Sequence, residues 1–469
     1  MSLPNSRSAA WRLLLLLASL SVAQPGIAAA DTLSFAQCVD IALHQNPDLI
    51  ASRAQIEQAE AGLRQARGSR FPKLTASLTA TRTNDALNAF GIKLSQRQAT
   101  FNDFGLSQFD PNNPSPSQLF IAPNTLNHPG NVNNFNTRLE AQLPIYTGGM
   151  ITGNIEQAKA LIRAAQSGDV AARQKLIYQV LQAYQGVHSA RAMVVVAKQA
   201  EIAADSQVKT ITSLVKGGVV VKSDLLSAQV RQQDTRIQLL QAQNTEATAL
   251  DQLHLLLGMP LNIPLDVGAS VMTPANTVSA ADLQQQALTS NPGVQAQRSQ
   301  VEAAQASVKV SKANLYPQLG LMARQDWNDS KLGFAANSYT VAGTLSWTVF
   351  DGKVTQSAVD RASAGRNEQA ARLQQAENTV AADVARARRQ SAEAEFSLTA
   401  REQAIESAEQ ATRLVDKRYA NGVATITELL AAQTQLDKAR ADVVRAQYEL
   451  AVQRASLLLA LGQLDPAHY

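Results

Sequence analysis

A chain of 469 residues with a single cysteine and a formal net charge of +4 has neither a disulfide framework nor a clustered basic patch for nucleic acid. Aromatic residues make up only 5% against 45% hydrophobic, with Ala, Gln and Leu abundant, which favours long helices packed through small side chains over one thick globular core. The five histidines have no metal-ligand spacing and no nucleophile, base and orienting acid stand together, so no enzyme, metal site or cofactor is expected.

Residues 1–30 read as an export signal. Arg7 and Arg12 supply a positive start, Leu13 to Val22 a short apolar core, and Ala28-Ala29-Ala30 a cleavage site before Asp31. That core is too short to span a bilayer as a mature helix. Its removal takes away two arginines and no acid, so the mature charge falls from +4 to +2. Cys38, in Phe35-Ala36-Gln37-Cys38, lacks the small apolar run of a lipid-attachment site, so it is expected as a buried thiol on a helix and no lipid anchor is expected.

Residues 31–261 form a first repeat. It opens with a helix over 34–68, bent at Asn46-Pro47 because proline restricts the residue before it. After Pro72 the period changes from helix to strand: Leu74-Thr75-Ala76-Ser77-Leu78-Thr79-Ala80-Thr81 alternates strictly. Residues 84–133, with Asp-Pro, Asn-Pro and Ser-Pro steps, read as a long loop holding one short helix within 88–103. A second strand follows, with Phe135, Thr137, Leu139, Ala141 and Leu143 on one face and Asn136, Arg138, Glu140 and Gln142 on the other.

A helix over 150–215 comes next, on the order of 100 Å long at 1.5 Å per residue. Val180, Tyr184, Val187, Val194, Ala197, Ala204, Val208, Ile211 and Val215 fall at steps of three, four and seven, a coiled-coil seam. Gly217 and Gly218 stop it, Ser223 caps a return helix over 223–257, and Asp224 suits the start of that helix. The return helix and the opening helix are each about half-length, so the two stacked end to end match the long one.

A linker over 262–280 leads to a second repeat, 281–469, on the same plan. Phe71-Pro72 returns as Tyr316-Pro317 at an offset of 245, and Tyr146-Thr147-Gly148 as Phe350-Asp351-Gly352 at 204. The 41-residue difference is extra chain between the first two strands. Gly218 matches Gly422, Asp224 matches Glu428, and Gln229 matches Gln433, all 204 apart, so the hairpin tip occurs twice, with Thr427 as the second cap. The second strand pair spans 319–324 and 339–349, joined by a short loop. Strands of about 9–11 residues suit a tilted bilayer crossing, with Leu, Val, Trp and Ala toward lipid and Arg138 and Glu140 toward a wet lumen. The other reading, a soluble sheet, lacks any segment to cover the apolar face.

Four strands cannot close a barrel, and an open edge in lipid leaves backbone groups without partners. Several chains must combine: two give eight strands and a filled interior, three give twelve and a passage. A non-channel periplasmic coiled-coil scaffold or adaptor is the alternative, though an adaptor needs small β-domains flanking one hairpin, not paired amphipathic strands.

The duplicated plan, the Phe71-Pro72 and Tyr316-Pro317 elbows, and Arg418-Tyr419-Ala420-Asn421-Gly422 followed by Glu428-Leu429-Leu430 resemble the TolC family of outer-membrane efflux and secretion channels. The resemblance covers nearly the whole mature chain. It implies a mostly α protein with membrane β structure: a homotrimer whose twelve-stranded barrel in outer-membrane lipid continues into a twelve-helix coiled-coil tunnel. It also implies a periplasmic adaptor and an inner-membrane pump of the RND, ABC or MFS type, conducting drugs, metal ions, organic solutes or polypeptides. By position, Tyr419 and Asp224 match a polar link that holds the inner end shut, and Glu428 matches the first ring of acids. The family's gate arginine falls at Ala424 and its second acidic ring at Ala431, which implies a looser, less cation-attracting gate. As bland readings, Asp224 and Glu428 serve helix starts and Tyr419 is a core aromatic. Gly218, Val219, Leu225, Gly422, Val423 and Leu429 are expected to give the adaptor its docking surface.

Overall fold

The computed structural model describes residues 32–274 and 279–466, so the export signal expected at 1–30 lies outside the described residues. A two-residue strand β1 (Thr32–Leu33) leads into helices α1 (Phe35–Gln45) and α2 (Pro47–Gly68). Strand β2 (Lys73–Thr83) is followed by an insert with helix α3 (Ala86–Ser95), three 3-10 turns and a one-turn helix α4 (Asn124–Asn127). Strand β3 (Val132–Tyr146), the long helix α5 (Met150–Lys216), its return α6 (Lys222–Leu257) and strand β4 (Asp266–Val267) come next. Helices α7 (Ala280–Ser290) and α8 (Pro292–Ala313), strands β5 (Gln318–Asp329) and β6 (Asn337–Ser346), and helices α9 (Val354–Ala420) and α10 (Ile426–Leu461) complete the chain. Corresponding helices are equal in length: 11 residues for α1 and α7, 22 for α2 and α8, 67 for α5 and α9, 36 for α6 and α10.

The bend expected at Asn46 is a full break into two helices. Asn46 ends α1 through its backbone N–H and starts α2 by accepting from the Asp48 N–H, with Pro47 at the first helical position, where its missing donor costs nothing. Asn291 and Pro292 do the same between α7 and α8. These breaks seat the return helices. Asn46 Nδ2 donates to the Leu256 carbonyl at 3.2 Å, and Asn291 Nδ2 to the Ala460 carbonyl at 3.1 Å. The orphan carbonyls at the ends of α6 and α10 are thus satisfied by the helix stacked beneath them. Gly462, at φ +70, turns the chain so close to this junction that a Cβ there would lie 2.7 Å from the Asn291 Cα. End-to-end stacking therefore holds in both halves.

The main core lies where α1 and α2 meet α5 and α6. Phe35, Cys38, Val39, Ala42 and Leu49 pack on Leu176, Val180, Leu181, Tyr184 and Val187 of α5 and on Leu253 and Leu257 of α6. Of the α5 seam, Val180, Tyr184, Val187, Ala204 and Ile211 are buried, while Val194, Ala197, Val208 and Val215 are half-buried. Burial pushes the Cys38 thiol up to about 11.

The four long strands form one antiparallel sheet in the order β2-β3-β5-β6. Its register puts Thr75 opposite Glu140, Arg138 opposite Asp326 and Arg324 opposite Thr340 on one face. Leu74 faces Ala141, Ala141 faces Ala323, and Ala323 faces Val341 on the other. The polar face carries a connected network: Arg138 Nε donates to Asp326 at 2.7 Å, Asn136 donates to Asp326 at 3.2 Å and to Asn328 at 3.0 Å, and Arg324 lies 3.0 Å from Asp326. The apolar face is bare, with Leu74, Leu78, Val341 and Leu345 all more than half exposed. The outer edges of β2 and β6 pair with no strand among the described residues.

The insert is better ordered than a loop. Its helix spans Ala86–Ser95, starting and ending earlier than the 88–103 window, because Asp85 caps it and the chain turns at Arg97, φ 56. Gln96 donates to Asn134 of the polar face at 2.9 Å, and Arg97 reaches the Asn337 carbonyl at 2.7 Å. The insert thus lies over the polar side of the sheet at its loop end. No described helix is long and apolar enough to cross a membrane.

Candidate functional site at the hairpin tips

Both tips are built by the same backbone turn. Gly218 and Gly422 take φ +74 and +70, a left-handed conformation that lets the following N–H groups reach back to the helix end. Val219 N donates to the Leu214 carbonyl at 2.9 Å, and Val423 N to the Arg418 carbonyl at 2.8 Å. The chain then passes through one extended residue, Val221 or Thr425, each at φ −87 and ψ 158, before the return helix.

This corrects the capping assignment. Ser223 and Thr427 lie inside the first turn and cap nothing; the Ser223 hydroxyl sits 3.5 Å from its neighbour Asp224. The N-cap positions are Val221 and Thr425. Thr425 Oγ1 accepts from Glu428 N at 3.2 Å, whereas valine offers no acceptor. Asp224 and Glu428 are the acids of the first turn in α6 and α10, where the helix dipole favours negative charge.

The two tips pack on each other. Ile211 of α5, Ala228 of α6, Tyr419 of α9, and Ile426 and Leu429 of α10 form a small buried cluster, with Leu225, Ala424 and Leu430 packed against it. Tyr419 is buried among them, and its hydroxyl has no well-formed hydrogen bond in the chain. Burial first, and then the charge and close approach of Asp224, push the Tyr419 ionisation up. The structure therefore brings Tyr419 of the second hairpin and half-buried Asp224 of the first together, and leaves Glu428, on the same hairpin as Tyr419, exposed.

Among the expected docking residues, Val219 and Val423 are about two-thirds exposed, and Gly218 and Gly422 have no atom near an added Cβ. Leu225 is half-buried against the cluster. Leu429 is the exception: it is 0% exposed and belongs to the core of the tip, not to its surface. The cause is its place three residues after Ile426, which turns both side chains toward Tyr419 and Ile211. Ala424 is half-buried and Ala431 exposed. One further contact escaped the sequence: Arg231 Nη2 lies 2.6 Å from Asp437, linking α6 to α10. Their separation of 206 is off the repeat offset, so aligning the halves hides it. No group of three potential metal ligands occurs among the described residues.

The family model described as outer membrane efflux protein matches residues 38–259 and 283–463. The chain is 27% identical over 307 residues to the alkaline protease secretion protein AprF of Pseudomonas aeruginosa, covering 63% of each chain. It is 27% identical over 328 residues to the protein CyaE of Bordetella pertussis, covering 68% of this chain and 69% of that one. The fold is similar to the crystal structure of CusC, with a TM-score of 0.76 at 17% identity and 92% of each chain covered. With both halves matched and the hairpin-and-sheet architecture shared, the chain belongs to the outer membrane efflux protein family and is an outer-membrane component, not an enzyme.

Proposed function

We propose that this chain is the exit duct of a three-part export system, passively conducting cargo from an inner-membrane pump through a periplasmic adaptor and out across the outer membrane. The observation that carries this reading is the four-stranded sheet. It has a bare apolar face, a polar face bearing a charged network, and two unpaired edges. Such a sheet is stable in lipid only when its edges are closed by further copies. Three copies give a twelve-stranded barrel with the Arg138, Asp326 and Arg324 face toward water, continued by a tunnel of twelve helices. The repeated helix lengths support a tandem duplication, and the export signal at 1–30 supports passage to the outer membrane.

The tips form the inner, periplasmic end. Asp224, Tyr419 and Glu428 close it: the first two as a contact between the hairpins, the last as an exposed acid that repeats around the threefold axis. Gly218, Val219, Gly422 and Val423 offer the adaptor an open apolar surface, with Leu225 beneath it. Leu429 acts from inside, by holding the tip together. The similarity to a protein named for secretion of an alkaline protease favours a polypeptide cargo over small solutes. A scaffold or adaptor role is opposed by the amphipathic sheet, which such a protein has no use for.

The test is single-channel conductance in a planar bilayer, wild type beside Glu428→Ala and Asp224→Ala. A small, cation-preferring conductance that grows or loses its preference in the variants establishes the duct and the gate. A pore indifferent to both changes moves the constriction elsewhere. Well-folded, inserted protein without any pore returns the scaffold reading.

A further inference from the structure

Close to the sheet, the wall of long helices has two chemically different faces. On one, two adjoining clefts of about 670 and 300 Å³ open between α2, α5, α8 and α9. Amides line the first: Gln55, Gln58 and Gln65 of α2, Asn154 and Gln157 of α5, and Gln300 of α8. Gln157, Leu161 and Gln300 continue into the second, beside which Gln297 donates to Gln369 at 3.2 Å. Among the described residues lining the two clefts none is aromatic, and Glu368, paired with Arg372 at 2.6 Å, is the one charged. The other face gathers the charges. Lys309 of α8 lies 2.7 Å from Glu156 of α5, Arg298 of α8 lies 3.1 Å from Glu377 of α9, and Arg163 pairs with Glu302.

The short helices show which face looks inward. Glu156 and Arg163 stand whole heptads before Ile177 and Tyr184 of α5, which belong to the core that α1 covers. Gln157, Leu161, Ala164 and Gly168 form a separate stripe turned away from it. Three copies of α1, α7 and the linker inside a ring of twelve helices would fill its bore. These elements therefore sit outside, and the amide face looks in. The glycines agree. Gly62, Gly168 and Gly365 lie within helices on this face, and an added Cβ at any of them meets no atom within 4 Å. Glycine weakens a helix interior, and packing within the chain gives no reason for it at these positions. A bore kept wide does give one.

We propose that the amide face lines the passage and forms a charge-neutral track for an extended polypeptide of either net charge. The proposal rests on the duct reading and deepens it by naming the surface that the cargo meets. Side-chain amides both donate and accept, so they exchange hydrogen bonds with a hydrated peptide backbone as water does. With no aromatic platform and its one acid already paired, this wall holds neither apolar nor charged side chains, and cargo is selected before it reaches this level.

The experiment uses the assembled full-length protein, whose one native thiol, Cys38, is 0% exposed. Gln157→Cys and Lys309→Cys are each treated with a maleimide on a polyethylene glycol chain too bulky for the bore, and with small cationic and anionic methanethiosulfonates. The bulky reagent should modify Lys309→Cys and leave Gln157→Cys unmodified, while the small reagents reach both. At Gln157→Cys the two small reagents should react within about threefold of their ratio on free cysteine, and adding Gln300→Glu should shift that ratio about tenfold toward the cation. In a planar bilayer, polylysine added at the loop end should block the current about tenfold longer with Gln157→Glu and Gln300→Glu than without them. Bulky reagent on Gln157→Cys with Lys309→Cys protected puts the charged face inside and overturns the track while the duct stands. A reagent ratio at Gln157→Cys far from that of free cysteine, or block times unmoved by the added acids, overturns it as well. Both sites open to the bulky reagent mean that no tube encloses either face, and the duct reading falls with the track.

Discussion

Helices α5 and α9 are the same length, 67 residues, and occupy corresponding places in the two halves, yet they are buried very differently. Helix α5 is buried at seventeen positions, including Ile177, Val180, Tyr184 and Ile211, and α9 at five. Helix α5 is enclosed by α2, α6, α8 and α10, whereas α9 contacts mainly α10, α8 and α7. Val354, Phe396 and Leu414 of α9 stand 69%, 78% and 63% exposed. The first half supplies the internal core of the chain; the second presents a face that a single copy leaves uncovered. One chain is thus well packed along α5 and bare along α9, the asymmetry expected if further copies cover α9 as proposed above.

The comparison breaks most sharply at Tyr184 and Phe396. Tyr184 is 0% exposed, meets Phe35 edge-on and donates to the Ala269 carbonyl at 3.0 Å. Tyr184→Ala should cost about 3–5 kcal/mol and lower the thermal midpoint whatever the oligomeric state. Phe396→Ala should leave the midpoint of a dissociated chain within about 0.5 kcal/mol, as exposed sites do, and weaken assembly instead. Denaturation followed beside analytical ultracentrifugation separates the two effects. Equal losses of monomer stability would show that α9 is not a waiting face.

The sheet repeats the contrast across its thickness. Val341 and Thr340 are neighbours on β6 that point to opposite faces, Val341 opposite Ala323 and Thr340 opposite Arg324. Val341→Arg should destabilise the inserted protein by about 2–4 kcal/mol if it meets the bilayer midplane, and Thr340→Arg by much less if its face lines the wet lumen proposed above. Folding into lipid vesicles against a urea series measures both. A larger loss from Thr340→Arg would reverse the two faces.

Much of this was legible because it rests on period and spacing. Alternation after Pro72 and Pro317 marked the strands, and a seam from Val180 to Val215 marked the long helix. The insert was read only in part: its short helix carries no strong pattern, and what orders it is a long-range bond from Arg97 to the Asn337 carbonyl, 240 residues away. At the tips the hydroxyl residues Ser223 and Thr427, matched at the repeat offset, are the natural cap candidates, while the true cap positions, also matched, hold Val221 and Thr425, and valine carries no capping signal. Leu225 and Leu429 also match, but Tyr419, Ile426 and Leu429 of the second hairpin enter the buried tip core with Ile211 and Ala228 of the first while Leu225 only packs against it, so one leucine is half-buried and the other enclosed. Arg231 and Asp437 stay hidden for the same reason: their partnership has no counterpart in the other half.

The two caps give the finest test of how the halves differ. Thr425 Oγ1 satisfies one orphan N–H at the start of α10, and the corresponding N–H in α6 has only the Val221 backbone carbonyl, at 3.1 Å from Asp224 N. Thr425→Ala should therefore cost about 1 kcal/mol. Val221→Thr should recover a similar amount, since φ −87 and ψ 158 already suit a capping residue and its side chain is 63% exposed, with room for the change. Hydrogen exchange at Glu428 and Asp224 reads each cap locally. Faster exchange at Glu428 in the first variant and slower exchange at Asp224 in the second would mean that the first hairpin tip frays more readily in the native chain. If Val221→Thr leaves Asp224 exchange unchanged, the contact with Tyr419, not the missing cap, governs the order of that tip.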